Sequence, residues 1–146
     1  MKRVFVYSIV FLILVLFSTS IALGQAQTRI RVIQASNIGH NIDPSLRDVY
    51  RELGSLFSFT SYRLLRDETL DLILNQPVTI SAHPGRSMEV SLIGLRRDIA
   101  KLRIRVVREE RDILNTEVRL LPGRTVLIGG PRHGEGVIIY AVSAHF

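Results

Sequence analysis

The chain has 146 residues, with 19 Lys and Arg against 13 Asp and Glu, and no Cys. That length is one domain's worth. The absence of Cys excludes a disulfide framework, a thiolate metal site and a lipoprotein anchor. The basic balance shows no clustered Lys/Arg tract, which argues against nucleic acid as a partner.

Residues 1–24 read as a signal peptide. Lys2 and Arg3 form a positive start, Val4 to Phe17 is apolar apart from Ser8, and Ala22-Leu23-Gly24 offers small residues at a cleavage site. Left uncleaved, Val4 to Leu23 is about 20 residues, long enough to anchor the chain in a bilayer. Residues 25–146 are then a single β-rich extracytoplasmic domain, periplasmic or extracellular in a bacterium. Loss of Lys2 and Arg3 leaves 17 basic residues, and Lys101 is the only Lys among them. That length is enough for one core without staples.

In chain order, Arg29 to Ile33 alternates and predicts a first strand. Ala35 to Asn41 is loop. Asp43-Pro44 starts a helix over 43–54, with Asp43 capping and Pro44 at the first position. Leu46, Val49, Tyr50 and Leu53 form its apolar stripe, and Gly54 stops it. Phe57 to Leu64 is aromatic-rich and predicts a strand with a bulge at Thr60-Ser61. Arg66-Asp67-Glu68 predicts a turn. Leu70 to Leu74, Val78 to Ala82, Met88 to Leu95 and Leu102 to Val107 follow as strands. His83 to Arg86 is a turn between two of them.

The last third, residues 112–143, predicts three strands separated by Gly-marked turns. Val118 and Leu120 alternate with Glu117 and Arg119. Leu121-Pro122-Gly123-Arg124 is turn chemistry. Thr125 to Ile128 resumes, a polar loop runs from Pro131 to Gly136, and Val137 to Val142 is apolar on both faces. Such a run predicts a central, fully covered strand.

The fold class is therefore α+β and mainly antiparallel β: a sandwich or open barrel of about nine short strands with one helix. The expected core is Ile30, Val32, Leu46, Val49, Leu53, Leu72, Ile80, Leu92, Ile104, Val106, Val118, Leu120, Val126, Ile128, Ile139 and Ala141.

Chemistry is sparse. His40, His83, His133 and His145 have no metal-binding spacing, so they read as loop histidines and no metal is expected. Gly129 to Gly136 is Gly-rich, but no helix follows it, and a hairpin is the simpler reading than a phosphate cradle. No nucleophile elbow is present. Asp67-Glu68 and Glu109-Glu110 are adjacent pairs that cannot flank one substrate. No cofactor is expected. Lys101, Arg103, Arg105 and Arg119 should form a cross-strand ladder with Glu109, Glu110 and Glu117.

The stretch Asn115 to Gly130 resembles a β-hairpin segment of bacterial outer-membrane secretins, in which a strand and Gly turn precede a Thr-Val-hydrophobic-Gly-Gly run. The resemblance implies an exported β-rich domain of an envelope assembly and carries no site residue. The expected function is an envelope-associated binding or structural module, accessory to a secretion or surface assembly. Its partner would be an envelope protein or an anionic envelope surface, with membrane contact only through an uncleaved N-terminal segment. A small enzyme built from loop His and acidic residues is the alternative. If the turns 83–86 and 131–136 share one end of the sheet, His83, Arg86, Arg132, His133 and Glu135 form a binding rim there.

Overall fold

A computed structural model describes residues 24–83 and 85–146, so the expected signal peptide lies outside the described residues. Eight strands are present: β1 (Gln25–Ser36), β2 (Ser61–Ile73), β3 (Val78–His83), β4 (Arg86–Leu95), β5 (Ala100–Arg108), β6 (Arg111–Leu120), β7 (Thr125–His133) and β8 (Gly136–His145). They form two four-stranded sheets, ordered β2-β1-β8-β7 and β3-β4-β5-β6. All the pairings are antiparallel. Each strand sits beside its chain neighbours, and β8 returns to pair with β1. The chain changes sheets only at 74–77 and 121–124, so the ring of strands is split into a sandwich. One end of the sandwich carries those two crossovers. The other, the hairpin end, carries Gly85 between β3 and β4 and the turns at 109–110 and 134–135.

The apolar run of the last strand is explained by its position. β8 lies between β1 and β7. Ile138, Tyr140, Val142 and Ala144 face the second sheet, while Ile139 and Ala141 face the helical segment. Both faces are dry, so both phases of the sequence are apolar. β1 is alike: Ile30 and Val32 point inward, and Ile33 and Ala35 point out toward the helix.

The helix differs from its expected span. Pro44–Leu46 is a short 3-10 turn, and α1 occupies Tyr50–Leu56, with Gly54 inside it. Asp43 caps as expected, accepting from the Ser45 N–H at 3.0 Å and its hydroxyl at 2.6 Å. The tighter winding stacks residues three apart, which puts Leu46 and Val49 on one side together with Leu53. All three are buried, whereas Tyr50 faces solvent. Tyr62 on β2 closes the segment by donating its hydroxyl to the Phe57 carbonyl at 3.1 Å.

Eight strands replace the expected nine because Arg66-Asp67-Glu68 does not turn. These residues lie within β2, an edge strand with one open side. Arg29 grips Asp67 with two bonds of 2.8 and 2.6 Å, and Arg66 pairs with Glu68 at 2.7 Å. Partnered charges at a wet edge outweigh their turn propensity. Phe57 to Thr60 precede the strand, and the bulge falls opposite Val32/Ile33 on β1 rather than at Thr60-Ser61.

Most of the expected core is fully buried. Ile80, Val118, Val126 and Ile128 are only partly buried, because they lie on β3, β6 and β7, the edge strands.

Candidate functional site

Two cationic regions stand at opposite ends of the sandwich. The first is at the crossover end, on the outer face of the second sheet. A register skip between Leu92 and Gly94 leaves Ile93 without a partner on β5, and Gly94 faces Lys101. The following turn is tied by the Arg96 N–H donating to the Ile99 carbonyl at 2.9 Å. Ile93, Gly94, Arg96, Ile99, Lys101 and Arg119 line a groove of about 360 Å³ there. Lys101 is paired with Glu117 at 3.1 Å. Arg96 and Arg119 have no ion-pair partner among the described residues. The groove thus joins two unneutralised guanidinium groups to an apolar floor of two isoleucines.

The ladder on that face is present with a different membership. Glu117 takes both Lys101 and Arg103, at 3.1 and 2.9 Å, and the two cations hold its carboxyl below the usual range, Arg103 first. Arg105 pairs with Glu89 at 3.2 Å and approaches Asp112 at 3.9 Å. Glu109 and Glu110 are absent from it. They form the turn between β5 and β6, both with positive φ, at 50° and 63°.

The second region is the hairpin end, where the rim was expected. The turns at 83–86 and 131–136 do share this end, one on each sheet. The region from Pro131 is less of a loop than expected: β7 continues to His133 through an irregularity between Gly129 and Arg132, and Gly134-Glu135 alone makes the turn. Gly134 has a positive φ of 58°. Arg132 and Glu135 are exposed and His133 is half-buried. Arg86 departs from the expected rim. Its position continues the inward phase of Met88 and Val90, and it is 8% exposed. His83 sits beside Arg86 in the register, Arg86 beside Arg108, and Arg108 beside Arg111. One row across the second sheet at this end therefore reads His, Arg, Arg, Arg.

Opposite that row, Tyr140 projects inward from β8 and is fully buried. Burial raises its phenol above the ordinary tyrosine range, with Arg86 acting the other way. The Tyr140 hydroxyl and one Arg86 terminal nitrogen are buried without a hydrogen-bond partner among the described residues. Sequence reading missed Tyr140, Arg108 and Arg111. A signal existed: Ala100, Leu102, Ile104 and Val106 set an inward phase on β5, and Arg108 is its next member.

Arg31 is a third notable cation, with a structural role. It lies on the outer face of β1, 2% exposed, and makes two 2.8 Å bonds to Asp48 of the helical segment. His145 is at the crossover end, and His40 is exposed in the segment between β1 and β2. Among the described residues, no three His, Asp or Glu side chains are grouped to hold a metal ion.

No protein-family model, curated protein or solved structure matches the chain.

Proposed function

We propose that the chain is an exported binding module of a bacterial envelope, and that it engages an anionic envelope surface through the groove at Gly94. The groove carries this reading. Arg96 and Arg119 stand unneutralised beside Ile93 and Ile99, a pairing that suits a surface with anionic groups above apolar matter. Guanidinium groups are weakly hydrated and form forked bonds to phosphate or carboxylate. The basic start and apolar run of residues 1–24 support export. The likeness of residues 115–130 to secretin segments supports an envelope assembly. In the fold, those residues form the end of β6, the crossover and the start of β7.

The test is co-sedimentation of the expressed protein with vesicles of phosphatidylglycerol and with vesicles of phosphatidylcholine. Arg96→Ala/Arg119→Ala is compared with the unaltered chain, so any contribution of the N-terminal segment is common to both. The unaltered protein should prefer the anionic vesicles in a salt-sensitive way, and the double variant should lose that preference. Equal binding of both proteins would remove the groove from the function.

A further inference from the structure

We infer that Arg86 and Tyr140, facing each other at the hairpin end, form a carboxylate-binding site, and that Arg108 and Arg111 draw the anion in. The site lies at the opposite end from the groove and stands on separate observations.

The first observation is a pair of donors without an acceptor. Arg86 is 8% exposed and Tyr140 is fully buried. One terminal nitrogen of Arg86 and the Tyr140 hydroxyl have no hydrogen-bond partner among the described residues. Buried polar groups are hydrogen-bonded almost without exception, and an orphan calls for an explanation. A guanidinium has only N–H groups to offer, so what satisfies it must accept. A water accepts, but it leaves a buried positive charge uncompensated. An anion meets both needs.

The second observation is the row of charge. Arg86, Arg108 and Arg111 are direct cross-strand neighbours on one face. Like charges in that position repel. Glu109 and Glu110 lie in the intervening turn, exposed, and neither pairs with these arginines among the described residues. Glu68, on the inward face of β2, is already held by Arg66 at 2.7 Å. Among the described residues, Arg86, Arg108 and Arg111 take part in no ion pair.

The third observation is shape. Gly130 leaves room for the Tyr140 ring: a Cβ there would stand 2.7 Å from a ring carbon and 2.8 Å from the Ile138 carbonyl oxygen. The ring is thus held on its inward course. Val32 lies beside Tyr140 in the register, and Met88 is two residues along from Arg86; both belong to the buried core. A single forked cation and one phenol match a planar monoanion, a carboxylate, better than a doubly charged phosphate. Two sources share that chemistry: a short carboxylate, such as an acidic side chain, and the head of a fatty acid.

The experiment is thermal melting of the expressed protein at constant ionic strength in chloride, acetate, octanoate and phosphate. No vesicle is present, so the result is independent of the groove. Acetate should raise the melting temperature over chloride, by roughly 5 °C at about ten times its Kd. Phosphate should act more weakly. An octanoate effect at tenfold lower concentration than acetate assigns the fatty-acid source, and equal potency assigns the short carboxylate. Tyr140→Phe keeps the ring and should weaken the response, and Arg86→Met should abolish it without lowering the melting temperature in chloride. A melting temperature that ignores the anion would overturn the site. So would an acetate response that survives unchanged in Arg86→Met. If Arg86→Met does not fold, Tyr140→Phe and the anion series on the unaltered protein decide the question.

Discussion

The two sheets have the same number of strands and the same antiparallel pairing, and they differ in what covers the face turned away from the sandwich. The first sheet carries the helical segment, so β1 and β8 are dry on both sides. The second sheet leaves its outer face to water, and Lys101, Arg103, Arg105, Glu89 and Glu117 cross-link it with exposed ion pairs. Charge on the first sheet is structural where it is buried, as with Arg31. Charge on the second sheet is largely solvated, and the same ionic chemistry contributes little there. A buried cation such as Arg31 is costly to disturb, and an exposed one such as Arg103 is cheap.

The sharpest test of the dry sheet is steric. Gly136 opens β8 against the end of β1, and a Cβ there would stand 1.8 Å from the Ala35 carbonyl oxygen. Neither backbone can yield without breaking the β1–β8 pairing. Gly136→Ala should therefore exceed the usual overpacking cost, losing at least about 3 kcal/mol by urea unfolding. Gly134→Ala, two residues away with nothing within 4 Å of the added atom, should lose only about 1 kcal/mol for its positive φ. Equal losses would contradict the close approach.

Next in size is the helix layer. Leu53 is fully buried against Ile33, Ile139 and their neighbours. Leu53→Ala should cost about 2–4 kcal/mol, in the range for a Leu truncated in a core. A loss below about 1 kcal/mol would mean that the helix is a loosely attached cover and that the first sheet is not dry on its outer face.

How much of this was legible follows the same division. Val137 to Val142 announced a strand covered on both faces, because burial there removes every reason for a polar residue. The alternation of Leu102, Ile104 and Val106 with Arg103 and Arg105 announced a half-wet strand. What stayed hidden depends on partners distant in sequence. Arg66-Asp67-Glu68 looks like a turn until Arg29 is placed beside Asp67. Arg31 looks like one more outward arginine until Asp48 is folded over it. The two turns expected to form a rim do share an end, but Arg86 turns inward because it keeps the phase of Met88. The groove at Gly94 was invisible, since it arises from a register skip.

The half-buried pair of Arg31 and Asp48 gives the third prediction. Asp48 is lowered below the usual carboxylate range, first by hydrogen bonds from Arg31, against the opposing effect of burial. Removing one partner of a fully buried pair costs about 3–5 kcal/mol. Here Asp48 is 55% exposed and water can partly replace it, so Asp48→Ala should cost about 2 kcal/mol. Because the folded-state value is lowered, this stability is present above the unfolded value of about 3.9. It is lost as pH falls through the lower, folded value. In Asp48→Ala, the loss of stability on acidification should be shallower in that window. Glu117→Gln on the wet sheet should leave the unfolding midpoint unchanged. If the two substitutions behaved alike, burial would not be what separates the sheets.

The smallest effect lies in the wet sheet's own turn, and it has the opposite sign. Glu109 and Glu110 join β5 to β6 with φ of 50° and 63°. A two-residue hairpin of this hand needs positive φ at both positions, which is why Asn-Gly is its preferred sequence. An ordinary side chain in the left-handed region costs about 1–2 kcal/mol, and two adjacent carboxylates add repulsion. Glu109→Asn/Glu110→Gly should therefore raise stability by about 1 kcal/mol, since the Gly also adds freedom to the unfolded chain and returns part of the gain. The change leaves both flanking arginines in place. The unfolding midpoint should rise in urea. If it falls instead, the glutamates serve the fold by interacting with Arg108 and Arg111, and that row is then partly neutralised from within the chain.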